Sequence, residues 1–478
     1  MKISVTTNND YNELYPLKPS DVKPYSSNKI NKLFSSLVSI SSKDLQNEGM
    51  YKNLIISSIR RKSFSCEDDQ LVLKFYKKTY DGNEQYHVQT GLYVGVIYYP
   101  FDKDVAEFHI VPKFGKVLLN RMLNMSNHIY VDAGSLRSTD SKQNEDYFAY
   151  IIEYLFLHAY EKARLVGFPR QYKKIQMQTS KYRGSLNVPK HIKNDLPFLG
   201  KMSVTYREQQ IPKEIVNVLY CALKNFSKSA YNAQKVKKFE QELKPLATCK
   251  SVTNSDIQKA QKCPAIQNSL FAQYKKVLKY AEIILKRNGL QFDSKSSNSE
   301  IRGFLVDVSE LWEIYLEKIL QDYFPDWNIN GQYEMPVYKG STFFERSFYP
   351  DLVMEKNGKY AVFDAKFKDM TGNGRDVDRN DLHQIHMYAG HFSKMGNLVA
   401  AGLLYPCSMT PNEKWTAELD ALTSGQAKFV IDGVNIGKVS KEELAYEKAF
   451  ELLEEEELEF VKRVRDHIEY FFDVREKK

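Results

Sequence analysis

Asp351, Asp364 and Lys366 have the residue types and spacing for metal-assisted attack on a phosphate. They flank Asn357-Gly358 in the run 349–367. Asn-Gly between two β-prone runs is a strong hairpin signal, because both turn residues need positive φ. With those two as the loop, Lys356 pairs with Lys359, and counting outward sets Asp351 directly opposite Asp364. Opposed residues have Cβ atoms roughly 4.5–5.5 Å apart on one face. Lys366 lies two residues beyond Asp364 and projects from that face too. Two carboxylates so placed repel by about 3 kcal/mol at an effective dielectric of about 20. A divalent cation between them reverses the sign. Mg²⁺ suits one or two carboxylates with several retained waters. A lysine beside a metal-bound water can orient it, or stabilise charge on a phosphate in flight. The plainer alternative is an edge hairpin with a charged, wet face. Opposed like charges argue against it, since a structural hairpin would offset or neutralise them. Leu352, Met354, Ala361, Phe363, Ala365 and Phe367 take the other face, which reads as core.

Pro350-Asp351 followed by Asp364-Ala365-Lys366 resembles the PD-(D/E)XK nuclease motif. Asp381-Leu382-His383-Gln384 with Tyr388-Ala389 resembles the helix after the catalytic strand in McrC-like subunits of McrBC-type restriction systems. Glu313, in Leu311-Trp312-Glu313-Ile314-Tyr315, resembles the acidic residue of the first core helix. Two upstream segments are similar to the same family: Gly91 to Ile97 with Ile110 to Gly115 and Arg121-Met122-Leu123, and Arg183-Gly184-Ser185-Leu186 through His191-Ile192. The resemblance covers most of the chain from about residue 85.

The elements that must position these residues follow from periodicity. Residues 1 to about 80 carry no readable motif. Residues 86–113 read as two strands broken at Pro100 to Asp104, and a helix starts near Leu118. A polar connection at 131–142 precedes a long buried helix, Asp146 to Val166. Residues 170–191 are basic with interleaved tyrosines. Arg170, Lys173, Lys174, Lys181 and Arg183 suit phosphate contact, with the tyrosines stacking on exposed bases; a solvated loop and strand pair accounts for them equally well. Helices at 214–226, 235–243 and 270–286 suggest a helical middle region, closed by a linker at 289–299. Val308, Leu311, Trp312, Tyr315 and Ile319 recur at helical spacing. Glu310, Glu313 and Glu317 fall off that stripe, so by period alone they form a solvated face. Gly372 to Asp378 reads as a loop beside the site, 381–394 as a helix, and 398–404 and 428–432 as strands. Ser440 with Glu443 is a capping box opening a C-terminal helix whose run Glu454 to Glu457 reads as its wet face.

Composition bounds the function. The 478 residues allow two or three domains, and 42% hydrophobic content gives a folded protein. Five scattered cysteines form no CxxC pair, which suits a reducing cytoplasm. The N-terminus has no signal-peptide pattern, and the most apolar segment, 147–160, is too short and polar to span a membrane. Net charge is +8, but residues from 301 onward hold 22 basic against 32 acidic side chains, leaving +18 on the first 300. That asymmetry suits nucleic acid on the first part of the chain. His383, His386 and His391 lack the partners of a zinc site. Gly433 to Gly437-Lys438 is one residue short of a phosphate loop and ends in Val439, so no nucleotide is expected on this chain.

The fold class expected is therefore α/β (α+β): an N-terminal mixed β region (1–135), a mainly helical basic region (136–298) and a PD-(D/E)XK restriction-endonuclease-like core (299–478). The resemblance implies a cytoplasmic prokaryotic DNA endonuclease subunit of an anti-phage restriction system. It further implies that Asp351, Asp364 and the Ala365 carbonyl hold Mg²⁺ (or Mn²⁺ in its place), that Lys366 activates water, and that Gln384 orients Lys366 or the water. Its implied partners are double-stranded DNA and a McrB-like AAA+ GTPase hexamer that it stimulates, and two nuclease cores brought together by dimerisation through the nuclease domain or via the partner assembly suit double-strand cleavage. Two alternatives stay open: a stand-alone Mg²⁺ nuclease, and an activator of the AAA+ ring that does not cleave.

Overall fold

The computed structural model describes residues 1–8, 26–35, 37–44, 50–51, 53–57, 70–102, 104–126, 144–194, 197–226, 233–249, 251–287, 301–331, 333–336, 347–368, 377–411, 416–419, 427–439 and 446–475. The expected connections at 131–142 and 289–299, the capping box at Ser440 and most of the loop 372–378 lie outside them. The chain divides into two compact units, Met1–Arg137 with Ser297–Lys478, and Ser138–Ser296.

The first unit opens with β1 (Lys2–Thr6), helix α1 (Ser27–Phe34), β2 (Val38–Ser41), β3 (Asn53–Ser57), β4 (Leu71–Tyr80), β5 (Asn83–Thr90), β6 (Tyr93–Phe101), β7 (Asp104–Val111) and α2 (Gly115–Ser126). β2, β4 and β5 form one small sheet. Asp81-Gly82, both at positive φ, closes the β4–β5 hairpin, by the same turn chemistry as Asn-Gly. The expected break at Pro100 is absent: β6 runs through Pro100 and Phe101, and the chain turns at Asp102, φ +51°. Phe34, Phe75, Phe108 and Ile97 centre a shared core.

The second unit contains α3 (Asn144–Arg164), β8 (Gln171–Thr179), β9 (Ser185–Leu186), α4 (Val188–Asn194), β10 (Met202–Gln210), α5 (Lys213–Lys224), α6 (Ala233–Leu243), α7 (Asn254–Gln261) and α8 (Gln273–Arg287). Its helices pack around Phe156, Tyr160, Leu219, Tyr274 and Leu278, all buried. β8, β10 and β9 form a three-stranded antiparallel sheet.

The first unit resumes with β11 (Arg302–Asp307), which pairs between β6 and β3 and so completes the sheet β1-β7-β6-β11-β3. Asp307 caps α9 (Val308–Tyr323), accepting from the N–H groups of Ser309 and Glu310. Then come β12 (Asn328–Gly331), β13 (Met335–Pro336), β14 (Ser347–Phe348), β15 (Leu352–Lys356), β16 (Lys359–Ala365), α10 (Arg379–Met395), β17 (Asn397–Cys407), β18 (Thr416–Glu418), β19 (Lys428–Asn435) and α11 (Tyr446–Arg475). Strands order as β12-β15-β16-β17-β19-β18, with β16, β17 and β19 parallel. A sheet with parallel strands needs both faces covered. Val353 and Val362 are buried under Ile385, Tyr388 and Phe392 of α10. On the other face Leu352, Met354, Ala361 and Phe363 are fully buried.

Burial overturns two further expectations, both solvated helix faces. Glu310 and Glu313 are 1% and 6% exposed, not a solvated face. Glu456 and Glu457 are 6% and 2% exposed, not a wet face. The physical reason for Glu457 is a set of distant partners. Arg121 Nε and Nη2 donate to its two oxygens at 2.9 and 2.7 Å, and Tyr315 Oη donates at 2.8 Å. Gly433 is required by close packing. At φ +153° its hydrogen faces the Tyr405 carbonyl, where a Cβ would sit 1.7 Å from the oxygen.

Candidate active site

The β15–β16 hairpin has the register the turn signal requires. Asn357 and Gly358 take φ of +52° and +73°, Lys356 pairs with Lys359, and Leu352 pairs with Phe363. Asp351, one residue before β15, therefore faces Asp364 near the end of β16. The Ala365 N–H donates to Asp351 Oδ2 at 2.8 Å, fixing that carboxylate on the hairpin. Asp364 is 0% exposed because β17 flanks it in parallel. Among the described residues, nothing donates a hydrogen bond to Asp364 Oδ1.

Lys366 continues the strand direction: its N–H donates to the Leu404 carbonyl at 2.9 Å, which also accepts from Trp312 Nε1 at 3.1 Å. Its ammonium pairs with Asp364, donates to Gln384 Oε1 at 3.0 Å, and lies 3.8 Å from Asp381 Oδ1. Gln384 Nε2 donates to Tyr388 Oη at 2.9 Å. Asp381, Gln384 and Tyr388 share one face of α10 by their i, i+3, i+7 spacing. The helix start is set by Asp378, whose side chain accepts from the N–H groups of Asn380 and Asp381. Lys368 pairs with Asp381 as well.

Electrostatics follow from burial and crowding. Burial, then the charges of Asp364 and Glu313, push the Asp351 carboxyl well above the usual carboxylate range, against Lys366 and the Ala365 N–H. Burial pulls the Lys366 ammonium down, but Asp364 and Asp351 outweigh it and hold the group above the ordinary lysine value. Burial, then Asp364 and Asp351, lift Tyr388 to about 12, although its bond with Gln384 opposes this.

The structure thus brings Asp351, Asp364, Lys366 and Gln384 together, with the buried Glu313 near enough to act on Asp351. Among the described residues no three His, Cys, Asp or Glu side chains form a ready-made metal ligand set. Two facing carboxylates nevertheless fit Mg²⁺, which takes one or two of them and keeps its waters. The undonated, buried Asp364 Oδ1 fits too, being a hard oxygen that a cation would satisfy. The contacts of Asp381 and Lys368 with this cluster are not among the sequence expectations. The alternation Lys366-x-Lys368 and the i, i+3 spacing of Asp381 and Gln384 were the available signals.

Arg170, Lys173, Lys174, Lys181 and Arg183 lie on or beside the second unit's sheet, all exposed. Strand alternation separates them. Lys174 faces Arg207 across the β8–β10 ladder, whereas Lys173 faces Glu208 on the opposite side of the sheet. Arg183 bonds Glu208 at 3.3 Å and stacks on Tyr206, 4.3 Å from the ring centroid. An open groove of about 890 Å³ is lined by Lys174, Gln176, Arg183, Ser185, Thr205 and Arg207. Arg207 joins the basic set only through the fold, since it lies outside the basic stretch of the sequence.

Residues 88–406 match the model of the family described as McrBC 5-methylcytosine restriction system component. No curated protein matches the chain in sequence. Among solved structures, a chain of the refined half-complex from a tetradecameric assembly of Thermococcus gammatolerans McrB AAA+ hexamers with bound McrC has a similar fold, with a TM-score of 0.51 at 16% identity over 95% of this chain and 99% of that one. A chain of the cryo-EM structure of the Thermococcus gammatolerans McrBC complex aligns at TM-score 0.34 and 15% identity, over 68% of this chain and 88% of that one.

Proposed function

The chain belongs to the McrBC 5-methylcytosine restriction system component family, and from that premise we propose that it is a Mg²⁺-dependent DNA endonuclease subunit working with a McrB-type AAA+ partner. The observation that carries the nuclease reading is the hairpin register, which sets Asp351 against Asp364 and adds Lys366 on the same face. The partner reading rests on the family and on the similarly folded chain, whose assembly contains McrB AAA+ hexamers with bound McrC.

Asp351, Asp364 and the Ala365 carbonyl would hold the cation, which when bound lowers the pKa of a water and neutralises phosphate charge. Asp351 and Asp364 supply the negative charge and, being fixed on one hairpin, keep a constant spacing. Lys366 places a partly buried positive charge where charge develops on the attacked phosphodiester. Gln384, held by Tyr388, accepts from the Lys366 ammonium and limits its direction. Glu313 adds to the negative field around Asp351. Lys174 and Arg183, joined by Arg207 along the groove, would meet the DNA backbone through non-specific phosphate contact, with Arg170 and Lys181 beside them, while Lys173, on the opposite face against Glu208, would add less.

The test is plasmid cleavage with Mg²⁺ under omission of each component. Cleavage that needs both the partner and its nucleotide supports the subunit reading. Cleavage by the chain alone moves it to a stand-alone nuclease. Absent cleavage with faster nucleotide hydrolysis by the partner leaves an activator only.

A further inference from the structure

We infer that Asp381 is a positioning residue: it receives the Lys366 ammonium when a divalent cation takes Asp364. This rests on the metal reading proposed above. The Lys366 ammonium now pairs with Oδ2 of Asp364, the carboxylate that a cation would share through its undonated Oδ1. Two positive groups on one buried carboxylate repel, so the lysine must yield for the cation to be held well. Its backbone cannot follow, because the Lys366 N–H is bonded to Leu404. Only the side chain moves, and a second anion stands within reach: Asp381 Oδ1, 3.8 Å from the ammonium. Gln384 Oε1, already 3.0 Å from the ammonium, lies on the same helix one turn further on. The amide can keep its bond while the ammonium swings.

The surroundings of Asp381 suit a waiting acceptor. It is 8% exposed, its N–H is tied to Asp378 at 3.4 Å, and Tyr405 Oη lies 3.5 Å from its Oδ2. Lys368 pairs with it and neutralises it while Lys366 is engaged elsewhere. Asp381 thus has one lysine at all times and a second on demand, without touching the reacting atoms.

The experiment is calorimetric titration of Mg²⁺ and Mn²⁺ into the full chain without DNA. The proteins are wild type, Asp381→Asn, Asp381→Glu, Lys366→Met and the double variant Asp381→Asn with Lys366→Met, with thermal melts to check folding. Asp381→Asn should weaken cation binding roughly tenfold, the lower end of what loss of a supporting partner costs a metal site. Asp381→Glu should restore most of it. Lys366→Met should bind cation more tightly than wild type, because the competing ammonium is gone. In that background Asp381→Asn should change affinity by less than about threefold, since no lysine needs a receiver. An equal loss with and without Lys366 would reduce Asp381 to a general negative charge and overturn the inference. So would an unchanged affinity in Asp381→Asn. Wild type that binds no cation would overturn the metal reading itself, a result distinct from either.

Discussion

Removing the charge of Asp351 should stabilise this protein in the absence of metal. Asp351 opposes Asp364 across the hairpin, with Cβ atoms roughly 4.5–5.5 Å apart by strand geometry. Two unit charges at that range repel by about 3 kcal/mol at an effective dielectric of about 20. Glu313 adds to the crowding and Lys366 offsets part of it. Asp351→Asn keeps an oxygen for the Ala365 N–H, so the bond at 2.8 Å can survive. A net gain of about 1–2 kcal/mol is expected once the lysine attraction lost with the charge is allowed for. For a chain this long that is a rise in Tm of about 1–2 °C. Mg²⁺ at about 100 times Kd should stabilise wild type by about 2.7 kcal/mol and the variant far less, closing or reversing the gap. The assay is thermal unfolding of both proteins in EDTA and in Mg²⁺. A variant less stable than wild type in EDTA would refute the reasoning that repulsion between these carboxylates outweighs the attraction of Lys366.

Arg121→Met leaves Glu457, 2% exposed, without its buried counter-charge; it should cost about 3–5 kcal/mol in denaturant titration, and adding Glu457→Gln should recover part of the loss. Burial, then the Lys162 charge, hold the His158 imidazole down at about 4. The unfolded chain therefore takes up this proton first, and the folded state should lose stability as pH falls from about 6.5 toward 4, by on the order of 2 kcal/mol after discounting partial exposure; His158→Gln should flatten that part of the pH curve. For DNA binding by a non-cleaving variant, Lys174→Ala and Arg207→Ala should each reduce the slope of log K against log salt by about 1, whereas Lys173→Ala, opposite Glu208, should change it less.

The parts legible in the sequence are those decided locally. Asn357-Gly358 sets a two-residue turn, the turn sets the register, and the register sets Asp351 against Asp364. The helices α9 and α10 and strands β17 and β19 follow from period. The rest depends on partners far away in the chain. Glu457 on α11 is buried because Arg121 and Tyr315 reach it, and a run of glutamates carries no mark of that. β11 opens the C-terminal third yet pairs with β6 and β3, a non-local choice that periodicity cannot make. The basic stretch at 170–191 is visible as charge and tyrosine. Which lysine shares a face with Arg207 requires the β8–β10 ladder.

We propose that Asp364 serves cleavage and not assembly. The direct measurement is plasmid cleavage by wild type and Asp364→Ala, each with Mg²⁺, a McrB-type partner and nucleotide, while nucleotide hydrolysis is followed in the same reaction. Asp364→Ala should give only background cleavage, with the partner's hydrolysis stimulated as by wild type. Cleavage by Asp364→Ala at the wild-type rate would contradict it.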